Sequence, residues 1–242
     1  MAVLFDATAD MYSRTTGLPP ITTFSILGWA FLAVDRNATT VLFYFGTTGG
    51  TGHAVRTATD GTTLNLFNGS ATTAGAALSL STWYHLALTV AGTGASQCIA
   101  YLNGVANITG AGNASVTAQT LRLGNDVTSQ FLNGRLAAVK VYDVALGASD
   151  VQQEMTTFMP IRTANLNSWY PMIDSSTSGC GTDFSGQGRT LTVGGTLTIA
   201  DGPPIAWTPH LLLWPQSAAA APTPHYAPPP LHRSWRVWRR VA

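Results

Sequence analysis

Short runs in which apolar residues alternate with polar ones fill most of residues 1–203. In the run WYHLALTV, residues 83–90, every even position is apolar, whereas His85 and Thr89 occupy the other parity. A period of two is typical of a strand that packs one face on a core. Six other runs are rich in β-branched and aromatic residues and are bounded by Gly, Asn, Thr or Asp clusters. They cover residues 23–32, 39–46, 62–69, 97–104, 120–124 and 135–143.

These frequent strands, without strand–helix alternation, predict an all-β fold, an antiparallel β-sandwich of the jelly-roll type. One segment departs from the pattern, SDVQQEMTTF at residues 149–158. Ser149 and Gln152 have the spacing of a capping box, and Val151 and Met155 lie at helical spacing on one face. The sequence therefore predicts one short helix packed on the sandwich.

Charge and proline content divide the chain into two parts. Residues 1–206 hold eleven acids and eight cations, which gives −3, whereas residues 207–242 hold four arginines and no acid, which gives +4. Nine of the thirteen prolines lie from Pro203 onward. The break predicts a folded domain over residues 1–203 and a proline-rich, extended C-terminal arm over residues 204–242. A hydrophobic fraction of 45% excludes a disordered chain, and no apolar run is long enough for a membrane span.

The arm ends in SWRVWRRV, where alternation fits a short strand better than a helix. Nucleic-acid binding, membrane binding and docking on a neighbouring protein are all open. Docking is favoured because Trp and Arg anchor interfaces, a proline-rich spacer lowers the ordering cost, and the arm's charge complements that of the domain. Nucleic acid and membrane are the less favoured partners. The predicted partner-binding residues are Trp214, Tyr226, Trp235, Arg236, Trp238, Arg239 and Arg240.

A set of motifs occurs in a characteristic order: WYHLALTV, then CIAYLNG, then LRLG, then FLNGRLAAVKVYDVAL. This order resembles the laminin-G-like, concanavalin-A-like lectin/glucanase superfamily. The resemblance covers roughly residues 1–205, including the DFSGQG stretch, which is similar to a loop often appended to such domains. It implies a jelly roll with a short helix, but it leaves function open, because the fold occurs in enzymes, lectins and adhesive modules alike.

The catalytic branch of that superfamily uses paired carboxylates on one strand to hydrolyse glycosidic bonds. This chain has a single glutamate, Glu154, which lies in the predicted helix. Ser185 does not lie in a nucleophile-elbow motif. We interpret His85 as a strand histidine with a structural hydrogen bond and His53 as an exposed loop residue. We therefore predict a protein that is not an enzyme.

Metal and glycan sites have weak support. Buried thiols are favoured for Cys98 and Cys180 over a disulfide, and two cysteines do not make a zinc site. Calcium needs six to eight oxygen ligands, and the resemblance places acids where this chain has Ala137 and Ala138. Asn125 and Asp126 remain as a candidate glycan or calcium rim, so we expect no cofactor, with calcium as a weak alternative. Three tryptophans in strand contexts, assigned to the core, leave no exposed aromatic pair; they are Trp29, Trp83 and Trp169.

The expected function is that of a non-enzymatic structural or interaction protein. The N-terminal residues lack a cationic start and an uninterrupted apolar run, so we expect no signal peptide and synthesis in the cytoplasm. A jelly roll with an arm resembles proteins of bacteriophage particles, which suggests a subunit on the virion surface, in a capsid decoration or a tail. Its partners would be copies of itself or another capsid or tail protein. The alternative is a lectin or adhesion module that recognises host or surface glycans.

Overall fold

The computed structural model describes residues 1–47, 51–69, 71–113, 119–126 and 129–205. They form two antiparallel sheets packed face to face, which confirms the predicted all-β sandwich. The strands of the first sheet run in the order β10 (Val105–Gly110), β9 (Cys98–Leu102), β8 (Trp83–Val90), β3 (Phe24–Leu32), β12 (Gly134–Tyr142), β1 (Ala2–Phe5) and β15 (Thr198–Ala200), and β13 (Leu166–Tyr170) also pairs with β12. The strands of the second run β14 (Thr192–Gly194), β2 (Met11–Arg14), β11 (Thr120–Leu123), β4 (Val41–Gly46), β5 (Gly52–Thr57), β6 (Thr63–Phe67) and β7 (Thr72–Ala77).

The core lies between the two sheets and follows the sequence period of two. In β8, Leu86 and Leu88 point into the core, whereas His85 and Thr89 lie on the opposite side of the strand. Full burial of a large apolar side chain stabilises the fold by roughly 1.5–3 kcal/mol. The sandwich interior therefore dominates stability, and the residues of opposite parity remain available to cover the outer faces.

Two short helices, α1 (Ala148–Glu154) and α2 (Thr177–Cys180), correct the prediction of one helix over 149–158. The predicted capping box is wrong, because α1 begins after Gly147 without a side-chain cap. The Ser149 hydroxyl instead accepts a hydrogen bond from Gln153 Nε2 at 3.2 Å. Helix α2 has only four residues, which is too short to leave a periodic signal, and its cap is a single hydrogen bond to the Ser176 hydroxyl.

A buried ion pair fixes α1 and the segment that follows it on the outer face of the first sheet. Lys140 Nζ lies 2.8 Å from Glu154 Oε2, and both side chains are 1% exposed. The same ammonium donates to the main-chain carbonyls of Glu154, Thr157 and Met159 at 2.7, 3.0 and 3.1 Å. A bulge at Ala138, with φ of 51°, lies between the two segments of β12 that pair with β3. Such bulges re-aim the side chains that follow them.

The two sheets meet along the edge strands β7 and β10. The Ala76 amide donates to Asn107 Oδ1 at 3.0 Å. Gly75 lies at the closest approach, because a Cβ there would come within 2.2 Å of Asn107 and 2.6 Å of Ile108. A side chain at position 75 would therefore force Asn107 and Ile108 to move at this edge of the sandwich.

Residues 206–242 lie outside the part of the chain that the structure describes. All the residues predicted for the partner-binding arm fall in that segment, so the arm and the boundary between residues 203 and 204 stay predictions. Among the described residues, no helix is long and apolar enough to cross a membrane.

Candidate functional site

The outer face of the second sheet brings arginine, aromatic and amide side chains together. In β4, Phe43 and Phe45 point into the core, so Tyr44 points outward. The same alternation turns side chains outward in the two strands beside β4, which are β11 and β5, and in the next strand, β6. We name this surface the polar–aromatic face; its residues are Tyr44, Arg56, Asn65, Phe67 and Arg122.

Arg56 is the centre of this face. Its guanidinium carbon lies 4.3 Å from the centroid of the Phe67 ring. Its Nε donates to Asn65 Oδ1 at 3.2 Å, and its Nη1 donates to Gln130 Oε1 at 3.3 Å. A guanidinium stacked on a ring and held by two amides keeps one orientation, and cation–π contacts of this kind contribute about 0.5–1 kcal/mol at exposed sites.

A second cation–aromatic contact lies on the adjacent strands. Arg122 is directly opposite Tyr44 in the strand register, and its guanidinium carbon is 5.8 Å from the centroid of that ring. Tyr44 and Arg122 are buried, as is Asn65, whereas Arg56 and Phe67 are partly exposed. The accessible side chains of the polar–aromatic face therefore rest on a buried layer that fixes their positions.

The two arginines of the polar–aromatic face, Arg56 and Arg122, are cations that are poorly solvated. Burial lowers the pKa of Arg56 below its ordinary value, and Asp126 and Tyr44 oppose that shift. Burial likewise lowers the pKa of Arg122, against the effect of Tyr44 and Asp126. Arginine remains protonated at neutral pH. A bound anion or polar ligand that supplies acceptors to these groups would compensate for the lost water.

The predicted rim residues lie in different environments. Asn125 is 3% exposed, and its Nδ2 donates to the carbonyl oxygens of Thr8 and Asp10 at 2.8 and 3.4 Å. Its amide therefore holds the N-terminal loop, a use that leaves no exposed surface for a ligand. Asp126 is partly exposed, and its carboxylate accepts a hydrogen bond from the main-chain amide of Gln130 at 3.3 Å. This bond places Asp126 beside the polar–aromatic face. Ligand binding by either residue stays a prediction.

No cluster of three or more His, Cys, Asp or Glu side chains that could hold a metal occurs within the described ranges. Asp10, near the predicted rim, is buried and accepts hydrogen bonds from three main-chain amides, those of Asp6, Ala7 and Thr196. Its carboxylate thus holds together two loops. This use of a carboxylate is structural.

The tryptophans correct one prediction from the sequence. Trp29 and Trp83 lie on the outer face of the first sheet and are partly exposed, whereas Trp169 is buried as predicted. The Trp83 ring lies 5.4 Å from the Phe31 ring, and Arg135 stacks on the other side of this row at 4.7 Å from the Phe31 centroid. The prediction that no aromatic pair reaches the surface is therefore wrong, because outward-facing positions of β3 and β8 also carry aromatic residues.

The two histidines of the described chain also differ from expectation. His53 lies inside β5 and is buried, because it shares its parity with the core residue Val55. His85 is buried on the outer face, and its Nδ1 has no hydrogen-bond partner among the described residues, so the predicted structural bond is wrong. Burial lowers the pKa of His53 to about 4, against the effect of a hydrogen bond that its Nε2 donates to the main-chain carbonyl of Asn113. Burial and the nearby Lys140 lower the pKa of His85 to about 3.

The cysteines are buried free thiols, as predicted. Cys98 Sγ lies 3.7 Å from His53 Nδ1, but burial raises the pKa of the Cys98 thiol to about 12. A catalytic thiol needs solvent access and a lowered pKa. The pair therefore lacks both properties of a nucleophile and its base.

Ser185 lies in a loop that is held by Asp183. The Ser185 hydroxyl donates to Asp183 Oδ2 at 2.9 Å, and the same carboxylate accepts from the amides of Trp169 and Arg189 at 3.0 and 2.9 Å. The hydroxyl of Ser185 thus forms a hydrogen bond within its own loop. The loop presents Phe184 to solvent.

Comparisons with known proteins address the fold. Residues 7–152 match the family model of the concanavalin A-like lectin/glucanases superfamily. No curated protein matches the chain in sequence. A candidate carbohydrate-binding protein from Bacteroides ovatus superposes with a TM-score of 0.61 and 20% identity, over 86% of this chain and 61% of its own length. At that identity the likeness shows the fold alone, and this chain spans about three-fifths of that protein.

Two further solved structures are similar over shorter stretches. A heptameric SAP-like pentraxin from Limulus polyphemus has a TM-score of 0.49 and 17% identity, over 62% of this chain and 79% of that one. Domain 4 of an extracellular arabinanase from Geobacillus stearothermophilus has a TM-score of 0.49 and 22% identity, over 63% and 75% of the two chains. These similarities are too distant to carry an argument about ligands.

Proposed function

Because this chain belongs to the concanavalin A-like lectin/glucanases superfamily, we propose that it is a carbohydrate-binding module that holds a glycan on its polar–aromatic face. The observation that carries the proposal is the position of Arg56, stacked on Phe67 and hydrogen-bonded to Asn65 and Gln130. This place combines a partly exposed ring with two side-chain amides and a guanidinium held by hydrogen bonds. This combination supports recognition of a polyhydroxylated ligand.

The chemistry of a sugar ring fits these groups. One side of a pyranose is apolar C–H and packs on an aromatic ring, while its hydroxyls need donors and acceptors in fixed positions. Binding sites combine apolar contact with a small number of such polar groups. Phe67 supplies the ring, and the amide of Gln130 and the guanidinium of Arg56 supply acceptor and donor groups at its edge. The buried layer beneath them lowers the entropy lost on binding.

The proposal is binding without hydrolysis. Glycoside hydrolysis uses two carboxyl groups, generally 5–10 Å apart. Asp126 is the one acidic residue whose charge acts on Arg56 and Arg122. Glu154 is buried in the ion pair with Lys140, on the other sheet. We therefore expect a lectin-like protein that leaves its glycan intact.

A glycan array followed by titration calorimetry tests this function. Phe67→Ala is expected to weaken binding of the best array ligand about tenfold, because the loss of ring contact costs about 1.4 kcal/mol. The matched control is Phe31→Ala, which removes a ring from a comparable arginine stack on the opposite sheet. Binding that is equally weakened by both changes, or no saturable binding to any glycan, would refute the proposal.

A second candidate function is that of an assembly subunit, for which the charge division supplies the support. Residues 1–206 carry −3 and residues 207–242 carry +4, so a neighbouring copy offers a complementary surface. The proposal includes the capsid or tail of a bacteriophage particle as the assembly and the virion as the location. Both glycan binding and assembly are compatible with one protein, because they use different residues.

Light scattering after gel filtration tests the assembly proposal on the full chain and on a chain that stops after Ile205. Ile205 belongs to the same hydrophobic cluster as Trp29 and Trp83, so an earlier stop would damage the sandwich. We expect the full chain to be an oligomer and the shortened chain to be a folded monomer. Equal masses per particle for the two chains would count against an intersubunit arm.

A further inference from the structure

The polar–aromatic face has more positive than negative charge. Arg56 and Arg122 contribute two cations, and the charge of Asp126 acts on both of them. In the strand register, Tyr44 is opposite Arg122 of β11 on one side and Ala54 of β5 on the other. Arg56 lies two residues after Ala54 in β5, on the same face. The two arginines therefore flank the same tyrosine. Cations collected on a rigid surface raise the local concentration of anions and their rate of association.

The hydrogen bonds of Arg56 indicate the kind of ligand that suits it. Its partners are the neutral oxygens of Asn65 and Gln130, and it forms no salt bridge within the described chain. Its Nη2 makes no hydrogen bond to a described residue. A planar guanidinium offers paired N–H groups that match the two oxygens of a carboxylate, and such charge-assisted bonds are about twice as strong as neutral ones.

The stack on Phe67 places those N–H groups beside an aromatic ring. The guanidinium carbon lies over the Phe67 ring, Nε is bonded to Asn65 and Nη1 to Gln130, so Nη2 is the nitrogen next to the ring that has no described partner. A sugar that contacts the exposed part of this ring would bring substituents of its ring carbons close to Nη2. A carboxylate on the sugar ring is a substituent of the right charge and geometry.

From this geometry we infer that the polar–aromatic face binds acidic glycans, those whose sugars carry a carboxylate, and that Arg56 receives the carboxylate. This inference rests on the proposed function and specifies its ligand class. Phe67 contacts the sugar ring, Arg56 forms the charge-assisted hydrogen bonds, and Asn65 keeps the guanidinium in position. Neutral glycans bind the same face more weakly, through the ring and the amides alone.

Titration calorimetry on the full chain with trigalacturonate and its methyl ester tests the inference. The two ligands share every ring atom and differ in charge at the carboxyl groups. We expect the ester to bind about tenfold more weakly than the acid, because it loses the charge-assisted component. We also expect binding of the acid, but not of the ester, to weaken as NaCl is raised from 50 to 500 mM, because salt screens exposed charge pairs. The same pair of measurements is made with a sialylated trisaccharide and its methyl ester, since a carboxylate can come from either sugar class.

Variants assign the effect to one residue. Arg56→Gln is expected to remove the difference between acid and ester, and Arg56→Lys to keep part of it, because lysine retains the charge without the planar fork. The matched control is Arg135→Gln, which removes the arginine stacked on Phe31 on the first sheet and should leave both affinities unchanged. Urea unfolding of each variant checks that the sandwich is intact.

The outcomes separate this inference from the proposed function. Equal affinity for acid and ester in both sugar classes, with binding lost in Phe67→Ala, would overturn the acidic-glycan inference and keep the lectin function. Acid-selective binding that survives Arg56→Gln would overturn the role of Arg56. No binding to these ligands or to any neutral glycan on the array would overturn both.

Discussion

Replacing Glu154 with glutamine is expected to lower the free energy of unfolding by about 3–5 kcal/mol, because it leaves the buried Lys140 ammonium without its counter-charge. The carboxylate also accepts hydrogen bonds from the amides of Ile161 and Arg162 at 3.0 and 2.6 Å. A glutamine has one oxygen for acceptance and places two N–H groups near other donors. The loss therefore comes from charge and hydrogen bonding together.

Asp150→Asn is the matched control for that change. Asp150 pairs with Arg162 at 3.2 Å, but those side chains are 35% and 37% exposed. Exposed pairs of this kind contribute between 0 and about 1 kcal/mol. Urea unfolding followed by tryptophan fluorescence compares the two variants with the parent. A loss below about 1 kcal/mol in Glu154→Gln would show that the buried pair contributes no more than an exposed one.

A double variant shows whether the unpaired charge is the cause. Lys140→Met combined with Glu154→Gln removes both charges, so it should be less destabilised than Glu154→Gln alone. Such non-additivity is expected for two groups in direct contact. If the loss in the double variant equals the sum of the losses in Lys140→Met and Glu154→Gln, the two side chains are not coupled in the folded state.

Acidification from pH 7 to pH 5 is expected to remove about 4 kcal/mol from the free energy of unfolding, about 2 kcal/mol for each of His53 and His85. Both are neutral in the folded protein at these pH values, because burial lowers their pKa to about 4 and about 3. In the unfolded chain a histidine binds its proton near pH 6.5. As the pH falls, the unfolded state therefore gains protons first. The contribution of the neutral histidines to stability is present above pH 6.5 and is lost as the pH falls toward their pKa values in the folded protein.

Urea unfolding at pH 7, 6 and 5 measures how steeply the free energy of unfolding falls with pH. His53→Gln and His85→Gln should each remove about half of this pH dependence, because glutamine does not titrate. Asp60→Asn is the control, since hydrogen bonds from Thr63 and Thr62 lower the pKa of Asp60 and it titrates below this window. A pH dependence that both histidine variants leave unchanged would mean that the two rings bind protons as readily in the folded protein as in the unfolded chain.

The alternation of apolar residues predicted the sandwich because it reflects a local property of each strand. Leu86 and Leu88 point into the core for the same reason that they share a parity in the sequence. His53 was misassigned because it follows a glycine cluster that is typical of loops, whereas β5 begins at Gly52. The helix was predicted too long because its last i→i−4 hydrogen bond is that of the Met155 amide, and the carbonyls of Thr157 and Met159 are bonded to Lys140 instead.

The candidate site could not be predicted because it depends on strand order. Arg122 and Tyr44 are far apart in sequence and become neighbours only because β11 lies between β2 and β4. Arg56 and Asn65 are closer, and Phe67 shares the face of Asn65 because it lies two residues later in β6. The register that sets Arg56 opposite Asn65 is fixed only by the pairing of β5 with β6. The Lys140–Glu154 pair did leave a signal, since these are the only lysine and the only glutamate in the chain.

The contact between β7 and β10 has a consequence for behaviour at high concentration. Unpaired sheet edges are templates for aggregation, and proteins usually protect them with charge, proline or shortness. This chain has only 10% charged residues, and on one side of the sandwich the edges of the two sheets shield each other through Asn107. On the other side, the described edge strands β14 and β15 are three residues each. The geometry of the sandwich thus limits edge-to-edge polymerisation in a protein with little charge for that purpose.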